Sequence, residues 1–387
     1  MMDLVGKRAK ELPYSGIREI FDLAGKLEGV IHFEIGEPDF DTPEPIIQGA
    51  FRAAMDGMTH YTGSAGLPRL RERIAERLTA QLGVSYGPEN IVVTAGGMEA
   101  LLLTMFVTLD RQDQVIFPSP HWPNYPAHVL LAGGSYAKLP LSANDGFRLS
   151  LDTLERTTND HTKMLLLNYP HNPTGAVMEQ DDLQQIAEFA KQRDIVVCSD
   201  EAYEALVYDG RDFFSIASLD GMKDRTVIIR TFSKTYAMTG WRIGYLAAPE
   251  DLAQRAGRLH EHTSACTSSV SQMAALAALD TSDDASQKMV EEYETRRDIV
   301  MQYLGDIPDI RILRPQGTFY SFVDISSFGL SSFDFSRQLL KEAHVAVAPG
   351  SAFGKEGEGY IRICFANSVE NIKHGLERMI TMIKKLG

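Results

Sequence analysis

Three apolar, strand-like runs in the middle of the chain each end on a group capable of chemistry. Lys163–Asn168 leads into Tyr169-Pro170-His171-Asn172-Pro173-Thr174-Gly175, Ile195–Ser199 ends on Asp200, and Thr226–Thr231 leads into Phe232-Ser233-Lys234. In open α/β sheets, ligands sit beyond the carboxyl ends of the strands. If these strands are neighbours, Asn172, Asp200 and Lys234 converge on one cleft. A desolvated lysine there keeps a free amine lone pair and can form an imine with an aldehyde cofactor. A carboxylate beside it can pair with a protonated pyridine nitrogen, keeping the ring able to absorb the electrons of a carbanion. Asn172 is placed to donate to a phenolic oxygen of such a ring. Taken singly, Lys234 also reads as a surface lysine, Asp200 as a cap and Asn172 as a turn former. Three independent coincidences at three successive strand ends are the poorer account.

Two features suit a phosphate. Ile91–Thr94 runs into Ala95-Gly96-Gly97-Met98-Glu99 and then the helical stretch Ala100–Val107. Glycines opening a helix let backbone N–H groups approach an anion that the helix dipole favours. Thr231, Ser233 and Arg242 flank the lysine with two hydroxyls and a guanidinium, which suit a dianion. Arg362 is an anomaly within Tyr360-Ile361-Arg362-Ile363-Cys364-Phe365. Alternation puts it on one face with Tyr360 and Cys364. Either it snorkels to solvent, or it faces inward and needs an anion, for which a substrate carboxylate is a good bidentate partner.

These groups need a scaffold, and the chain alternates strand and helix patterns where they lie. Strands are expected at Ile91–Thr94, Gln114–Phe117, Lys163–Asn168, Ile195–Asp200, Thr226–Thr231 and Arg242–Ala247, with a helix placing Leu183, Ile186, Phe189 and Ala190 on one face. That rhythm predicts a mainly parallel sheet covered by helices. Arg255–Leu304 reads as helical, with Ser268–Leu279 small and apolar enough to be buried. Beyond Pro315 come strands at Phe319–Val323, Ala346–Ala348 and Tyr360–Phe365, and helices at Asp334–Ala343 and Val369–Lys385. With 387 residues the chain exceeds what one core usually serves.

Composition narrows the function classes. A formal charge of -14 speaks against nucleic-acid binding, which needs clustered Lys and Arg. The three cysteines, Cys198, Cys266 and Cys364, are widely spaced and show no metal or disulfide pattern, so no metal is expected and a reducing compartment fits. The segment Met1–Leu12 has no apolar signal-peptide core, and no run approaches the roughly 18 apolar residues of a membrane span. A cytoplasmic protein with no membrane partner is the expectation.

The run Thr231-Phe232-Ser233-Lys234-Thr235-Tyr236-Ala237-Met238-Thr239-Gly240-Trp241-Arg242-Ile243-Gly244-Tyr245 resembles the cofactor-lysine signature of the class I/II, fold-type I aminotransferases of aspartate/aromatic type. Tyr169–Gly175 is similar to that family's Asn-Pro-Thr-Gly segment, and Ser199-Asp200-Glu201-Ala202-Tyr203 to its Asp-Glu-x-Tyr segment. Order and spacing match from Ser15-Gly16-Ile17-Arg18 to the Arg362 strand. The resemblance implies an α/β fold-type I transferase dependent on pyridoxal 5′-phosphate (PLP). Its mainly parallel central sheet would lie in a large domain over residues 46–290, and a smaller α+β domain would combine residues 1–45 and 291–387, with a mobile N-terminal segment. It further implies a homodimer with the site at the interface, and ping-pong transfer of an amino group between an L-amino acid and a 2-oxo acid.

Residue by residue, the resemblance makes Lys234 the Schiff-base former and proton shuttle between substrate Cα and cofactor C4′. Asp200 would bind the pyridine nitrogen, and Asn172 and Tyr203 the phenolic oxygen. Gly97, Met98 through its backbone, Thr231, Ser233 and Arg242 would hold the phosphate, joined by Tyr61 of a neighbouring subunit. Trp122 would stack on the ring. Arg362 would grip the substrate α-carboxylate with Asn172 and the backbone N–H of Gly36, and Ile17 would cover the substrate. One position departs from the pattern. Where the bacterial aspartate-type branch often carries a lysine that reads a second carboxylate, this chain has Met98, which favours an apolar or aromatic side chain unless another cation, such as His121 or an arginine across the interface, serves. A fold-type I lyase or replacement enzyme (C–S lyase or aminocyclopropane-carboxylate synthase-like) shares the cofactor residues. Trp122 leans toward transamination, because those enzymes more often carry tyrosine there.

Overall fold

The computed structural model describes residues 4–6, 10, 12, 16–281 and 283–386. Ser15, the first residue of the N-terminal motif, lies outside them, as does most of the polar stretch before it. In chain order the strands are β1 (Ile31–His32), β2 (Ile91–Thr94), β3 (Gln114–Ser119), β4 (Ser135–Pro140), β5 (Thr162–Asn168), β6 (Val196–Asp200), β7 (Thr226–Thr231), β8 (Gly244–Ala247), β9 (Arg311–Ile312), β10 (Tyr320–Asp324), β11 (Val345–Ala346), β12 (Ala348–Pro349) and β13 (Tyr360–Cys364).

Seven of them form one sheet in the order β2-β8-β7-β6-β5-β3-β4. Strands β7, β6, β5, β3 and β4 run parallel, and β8 runs antiparallel to both of its neighbours. The three strands singled out for their ends are thus adjacent, with Asn168 opposite Asp200 in register. Alternation along these strands decides where the polar ends point. Met164 and Leu166, Cys198, and Val227 and Ile229 pack on the face carrying Leu101, Leu103 and Met105 of the helix Gly97–Thr108. Leu165, Leu167 and Val197 pack on the opposite face against Leu183, Ile186 and Phe189 of the helix Gln180–Gln192. Continuing the period of two, Asn168, Asp200 and Thr231 emerge on the same side as the N-terminus of Gly97–Thr108. Apolar packing on both faces, worth about 1.5–3 kcal/mol per fully buried aliphatic side chain, fixes this register.

Strand β4 has no counterpart in the sequence reading. Ser135-Tyr136-Ala137-Lys138-Leu139-Pro140 is a half-buried edge with no continuous apolar run. The expected strand Arg242–Ala247 starts two residues later, because Arg242 adopts a left-handed backbone with φ of 50°. The expected strand Ala346–Ala348 is two strands, since the chain leaves β1, which pairs parallel with β11, to pair β12 with β13.

The helical reading of 255–304 becomes Glu250–Ser264, Ser269–Asp280 and Asp284–Leu304, and Ala274, Ala275, Ala278 and Leu279 of the middle helix are buried as expected. A second, antiparallel sheet has the order β12-β13-β10-β9, and the helices Ser332–Ala343 and Val369–Ile383 accompany it. The N-terminal segment joins both halves. Ile31 and His32 pair with β11, while Thr42 Oγ1 donates to the Ala237 carbonyl at 2.7 Å and Trp241 Nε1 donates to Thr42 Oγ1 at 3.0 Å. With the Thr239 hydroxyl donating to Glu37, those bonds hold the segment from Glu37 to Thr42 against the loop that follows Lys234. Among the described residues no helix is long and apolar enough to cross a membrane.

Candidate active site

The ends of β5, β6 and β7 open into a cavity of about 520 Å³. Lys234, Asp200, Tyr203, Asn172, Gly97, Met98, Trp122, Thr231, Ser233, Arg242, Ile17, Gly36 and Arg362 all line it, so the structure brings together every expected site residue except Tyr61.

Asp200 is fully enclosed. Its Oδ2 accepts the Tyr125 hydroxyl at 2.7 Å and its Oδ1 the Ala202 N–H at 3.3 Å. Burial pushes its pKa up to about 6, even though these two donors work against the rise. A cation set beside it would draw that pKa back down and stabilise the carboxylate, which is what a protonated pyridine nitrogen offers. Asn168 ties the turn beyond β5 to β6, donating to the Asp200 carbonyl at 3.1 Å and accepting the Asn172 N–H at 3.1 Å.

Lys234 lies on a single helical turn, Phe232–Thr235, whose first residues are capped by Thr231 Oγ1 accepting the Ser233 N–H at 3.2 Å. Its Nζ donates to the Gly36 carbonyl at 2.6 Å. Burial lowers its pKa to about 8, with the positive charges of Arg362 and Arg242 adding to the effect and Cys364 and Glu37 opposing it. A drop of that size from 10.5 multiplies the neutral, nucleophilic amine roughly 300-fold at neutral pH. Tyr203, whose hydroxyl lies 2.9 Å from that of Tyr320, is kept a neutral phenol by burial.

At the other end of the cavity Gly96, at φ of 80°, precedes the helix Gly97–Thr108. A Cβ on Gly96 would stand 2.8 Å from Arg242 Nη2, so glycine is what lets the guanidinium approach the turn. Arg242 is held by the Thr239 carbonyl at 2.9 Å and the Ala95 carbonyl at 3.4 Å. With the Thr231 and Ser233 hydroxyls, which bond each other at 2.9 Å, this builds a cup of helix N–H groups, two hydroxyls and a cation. Such a cup fits a phosphate dianion. Tyr61 stands apart from it, 88% exposed in a surface depression shared with Thr59, His60 and Cys266.

Arg362 faces inward and does not snorkel. Only 3% exposed, it is sandwiched between the rings of Tyr320 at 4.1 Å and Phe353 at 4.8 Å. Nη1 donates to Asn172 Oδ1 at 2.9 Å and Nη2 to the Glu34 carbonyl at 2.7 Å, both neutral acceptors, and Nε is buried without a partner. A guanidinium buried with only neutral partners calls for an anion. Gly36 sits beside it where any Cβ would collide with the Tyr320 hydroxyl, so the backbone approaches the substrate region more closely there than any other residue type permits.

Several lining residues carried no local signal, among them Tyr125, Tyr320 and Phe21. Tyr125 reaches Asp200 from a helix 75 residues away, and only the assembled fold reveals it. His121 is a correction to the sequence reading. It does not line the cavity, its Nδ1 lies 3.0 Å from the Trp122 carbonyl, and burial lowers its pKa to about 4, so it is neutral and supplies no cation. Met98 does line the cavity, 39% exposed beside Trp122 and Asn124.

Comparison with known proteins agrees with this geometry. The family model described as aminotransferase class I and II matches residues 28–379. Aromatic-amino-acid aminotransferase 2 of Thermococcus litoralis is 43% identical over 374 residues, covering 96% of each chain. The aspartate aminotransferase of Pyrococcus abyssi is 42% identical over 96% of each chain. Among solved structures, the aromatic aminotransferase from Pyrococcus horikoshii superposes with a TM-score of 0.91 at 41% identity, covering 96% of this chain and 100% of that one. A lysine poised as a free amine, a buried carboxylate and a phosphate cup fit the cofactor of that family, and the chain belongs to the class I and II aminotransferases, PLP-dependent enzymes of fold type I.

Proposed function

We propose that the enzyme works by a ping-pong route in which Lys234 holds the cofactor and moves the proton, and that its amino donor has an apolar or aromatic side chain. The observation that carries this reading is a buried lysine poised as a free amine facing a buried arginine that lacks an anion across one cavity. When bound, PLP supplies an electron sink conjugated to the substrate Cα. Lys234 would capture the aldehyde, be released by the incoming amine, and then carry a proton between substrate Cα and cofactor C4′. Asp200 would keep the pyridine nitrogen protonated, with Tyr125 fixing its orientation, and Asn172 and Tyr203 would donate to the phenolic oxygen. Trp122 would stack on the ring, and Thr231, Ser233, Arg242 and the backbone of Gly97 and Met98 would hold the phosphate. Arg362, Asn172 and Gly36 would hold the α-carboxylate, and Ile17 would cover the substrate and exclude water.

Exposure of Tyr61 supports a homodimer in which this ring completes a neighbour's phosphate site. Three cysteines without disulfides fit a cytoplasmic setting. The pairing of β1 with β11 supports counting residues 1–45 with 291–387 as a small domain beside a large one over 46–290. Relatives named for aromatic amino acids and for aspartate bracket the donor. The apolar wall of Ile17, Phe21, Ile35, Met98, Leu101 and Trp122 favours the former.

The holoenzyme given L-phenylalanine without an oxo acid is expected to lose the absorbance of the lysine-bound cofactor and release one phenylpyruvate per site, leaving pyridoxamine phosphate. No change in that absorbance with phenylalanine, together with elimination or replacement at a donor that carries a β- or γ-leaving group and return of the original absorbance, would assign the chain to the lyase or replacement class instead. Met98→Lys is expected to raise kcat/KM for aspartate relative to phenylalanine about 10-fold, the lower end of a charge-assisted hydrogen bond at a half-exposed position. An unchanged ratio would remove Met98 from the account of specificity.

A further inference from the structure

We propose that His260 and Glu99, one layer behind the cavity, form a positioning pair that sets how tightly the cofactor phosphate is held. Neither residue lines the cavity. Glu99 lies in the first turn of Gly97–Thr108, where its Oε2 accepts the Ala95 N–H at 2.6 Å and its Oε1 accepts the Ser264 hydroxyl. It therefore pins the Ala95–Gly97 turn in the shape of the cup. The same position carries an electrostatic cost, because a carboxylate in the first turn draws on the helix dipole that should favour the phosphate dianion.

His260 offsets that cost. Its side chain is wholly buried on the helix Glu250–Ser264, with Nδ1 2.6 Å from the Ser64 carbonyl and Nε2 3.2 Å from Glu99 Oε2. The second contact lacks hydrogen-bond alignment, since Nε2 has no such partner, and it becomes an ion pair when His260 is protonated. Nδ1 must carry a proton to donate to a carbonyl, so a proton on Nε2 makes the imidazolium that cancels the Glu99 charge. The groups acting on the His260 charge are Glu99 on the neighbouring helix and the Ser64 carbonyl on the loop packed over it. Burial opposes the His260 charge, yet these two groups raise its pKa. Burial likewise works against the Glu99 carboxylate, which its contacts with His260, the Ala95 N–H and Ser264 hold down at about 2. With the pair neutral, the helix N–H groups and Arg242 act on the phosphate alone. When His260 loses its proton, an uncompensated carboxylate remains in the first turn of the cup helix. Ser64 follows the loop bearing Tyr61, so the pair also links that loop to the cup.

The inference rests on reading Ala95–Gly97 as the phosphate cup, and the test separates the two. The probe is pyridoxine 5′-phosphate, which has the phosphate but no aldehyde for Lys234, titrated calorimetrically into the full-length chain freed of cofactor. His260→Gln keeps a donor toward Ser64 and carries no charge. Wild type is expected to bind the probe about 10-fold more tightly than His260→Gln at about pH 6, and the two should converge by about pH 9. The sign follows from the raised pKa, since the imidazolium is present below it and lost as pH rises through it. Lys234 and the probe titrate alike in both proteins, so the ratio isolates His260. In a Glu99→Gln background the same substitution should change affinity less than about two-fold. A ratio that does not vary with pH, or a full loss persisting in that background, overturns the proposal. Should His260→Gln fail to fold, Glu99→Gln alone decides, because it must gain on wild type at about pH 9 and not at about pH 6. If wild type binds the probe no better than pyridoxine, the cup reading itself falls.

Discussion

Replacing Lys234 with alanine is expected to lower the rate of amino transfer by at least about 10⁴-fold, or about 5.5 kcal/mol, while leaving the cofactor bound without its covalent link. The size follows from two losses at one atom. The amine that holds the aldehyde is gone, and so is the base that moves the proton between Cα and C4′; positioned proton transfer alone contributes about 10²–10⁴. The cup, Asp200, Asn172 and Arg362 remain, so substrate and cofactor should still bind, and small primary amines in solution should restore part of the proton transfer. Lys234→Arg separates charge from nucleophilicity, since a guanidinium keeps the charge but offers no free lone pair. It should be as inactive as the alanine variant. The wild-type amine also predicts a pH profile. Covalent capture of PLP by the cofactor-free chain should accelerate as pH rises and level off above about 8, where the amine is already neutral, and not near the ordinary value of 10.5. Stopped-flow absorbance measures both quantities. A Lys234→Ala protein that turns over within about 10-fold of wild type would remove Lys234 from the chemistry.

How much of this was legible in the sequence depended on the reach of the interaction concerned. The convergence of Asn172, Asp200 and Lys234 on one cavity follows from apolar runs flanked by turn residues, because parallel strands buried on both faces leave little choice of register. The cup was legible in Gly96 and Gly97 because glycines opening a helix let its N–H groups approach an anion, and Gly96, at φ of 80°, needs a residue without Cβ. What failed to show was non-local. Tyr125 has an ordinary helical context, and its role exists only because β3 and β6 share a face with it. Strand β4 is an edge whose stability comes from pairing with β3 and not from its own pattern. By residue type His121 could serve as a cation where Met98 replaces a lysine, yet it and its neighbour Trp122 face different surroundings, Trp122 in the cavity and His121 buried beneath Gly354. Tyr61 owed its assignment to family resemblance alone, and a single chain leaves it in solvent.

Arg362 marks the limit of pattern reasoning most clearly, and it carries the second large effect. Alternation alone allowed solvent or cavity. The choice is made by Tyr320 and Phe353, which arrive from β10 and from the turn after β12 and close both faces of the guanidinium. With its direct bonds spent on Asn172 and the Glu34 carbonyl, the group is locked in place before substrate arrives, so little ordering entropy remains to be lost on binding. A buried, charge-assisted, bidentate contact of this kind is worth about 2–5 kcal/mol on truncation, partly because its removal strands the opposing charge. Arg362→Leu is therefore expected to raise KM for every amino acid donor, apolar or acidic, by between about 30- and 5,000-fold, with the ratio between donors nearly unchanged. That uniformity distinguishes a grip on the α-carboxylate from a reader of the side chain, for which Met98→Lys predicts the opposite pattern. Arg362→Lys keeps the charge but loses the planar fork and its stacking on Tyr320, and should recover only a small part of the loss. Covalent capture of PLP should persist in both variants, since Lys234 and the cup remain, although loss of the Arg362 charge in Arg362→Leu should raise the Lys234 pKa and move its pH profile upward. If Arg362→Leu shifted the preference between phenylalanine and aspartate and left the common KM in place, the guanidinium would be reading side chains, and the anion it lacks would have to be the substrate's second carboxylate.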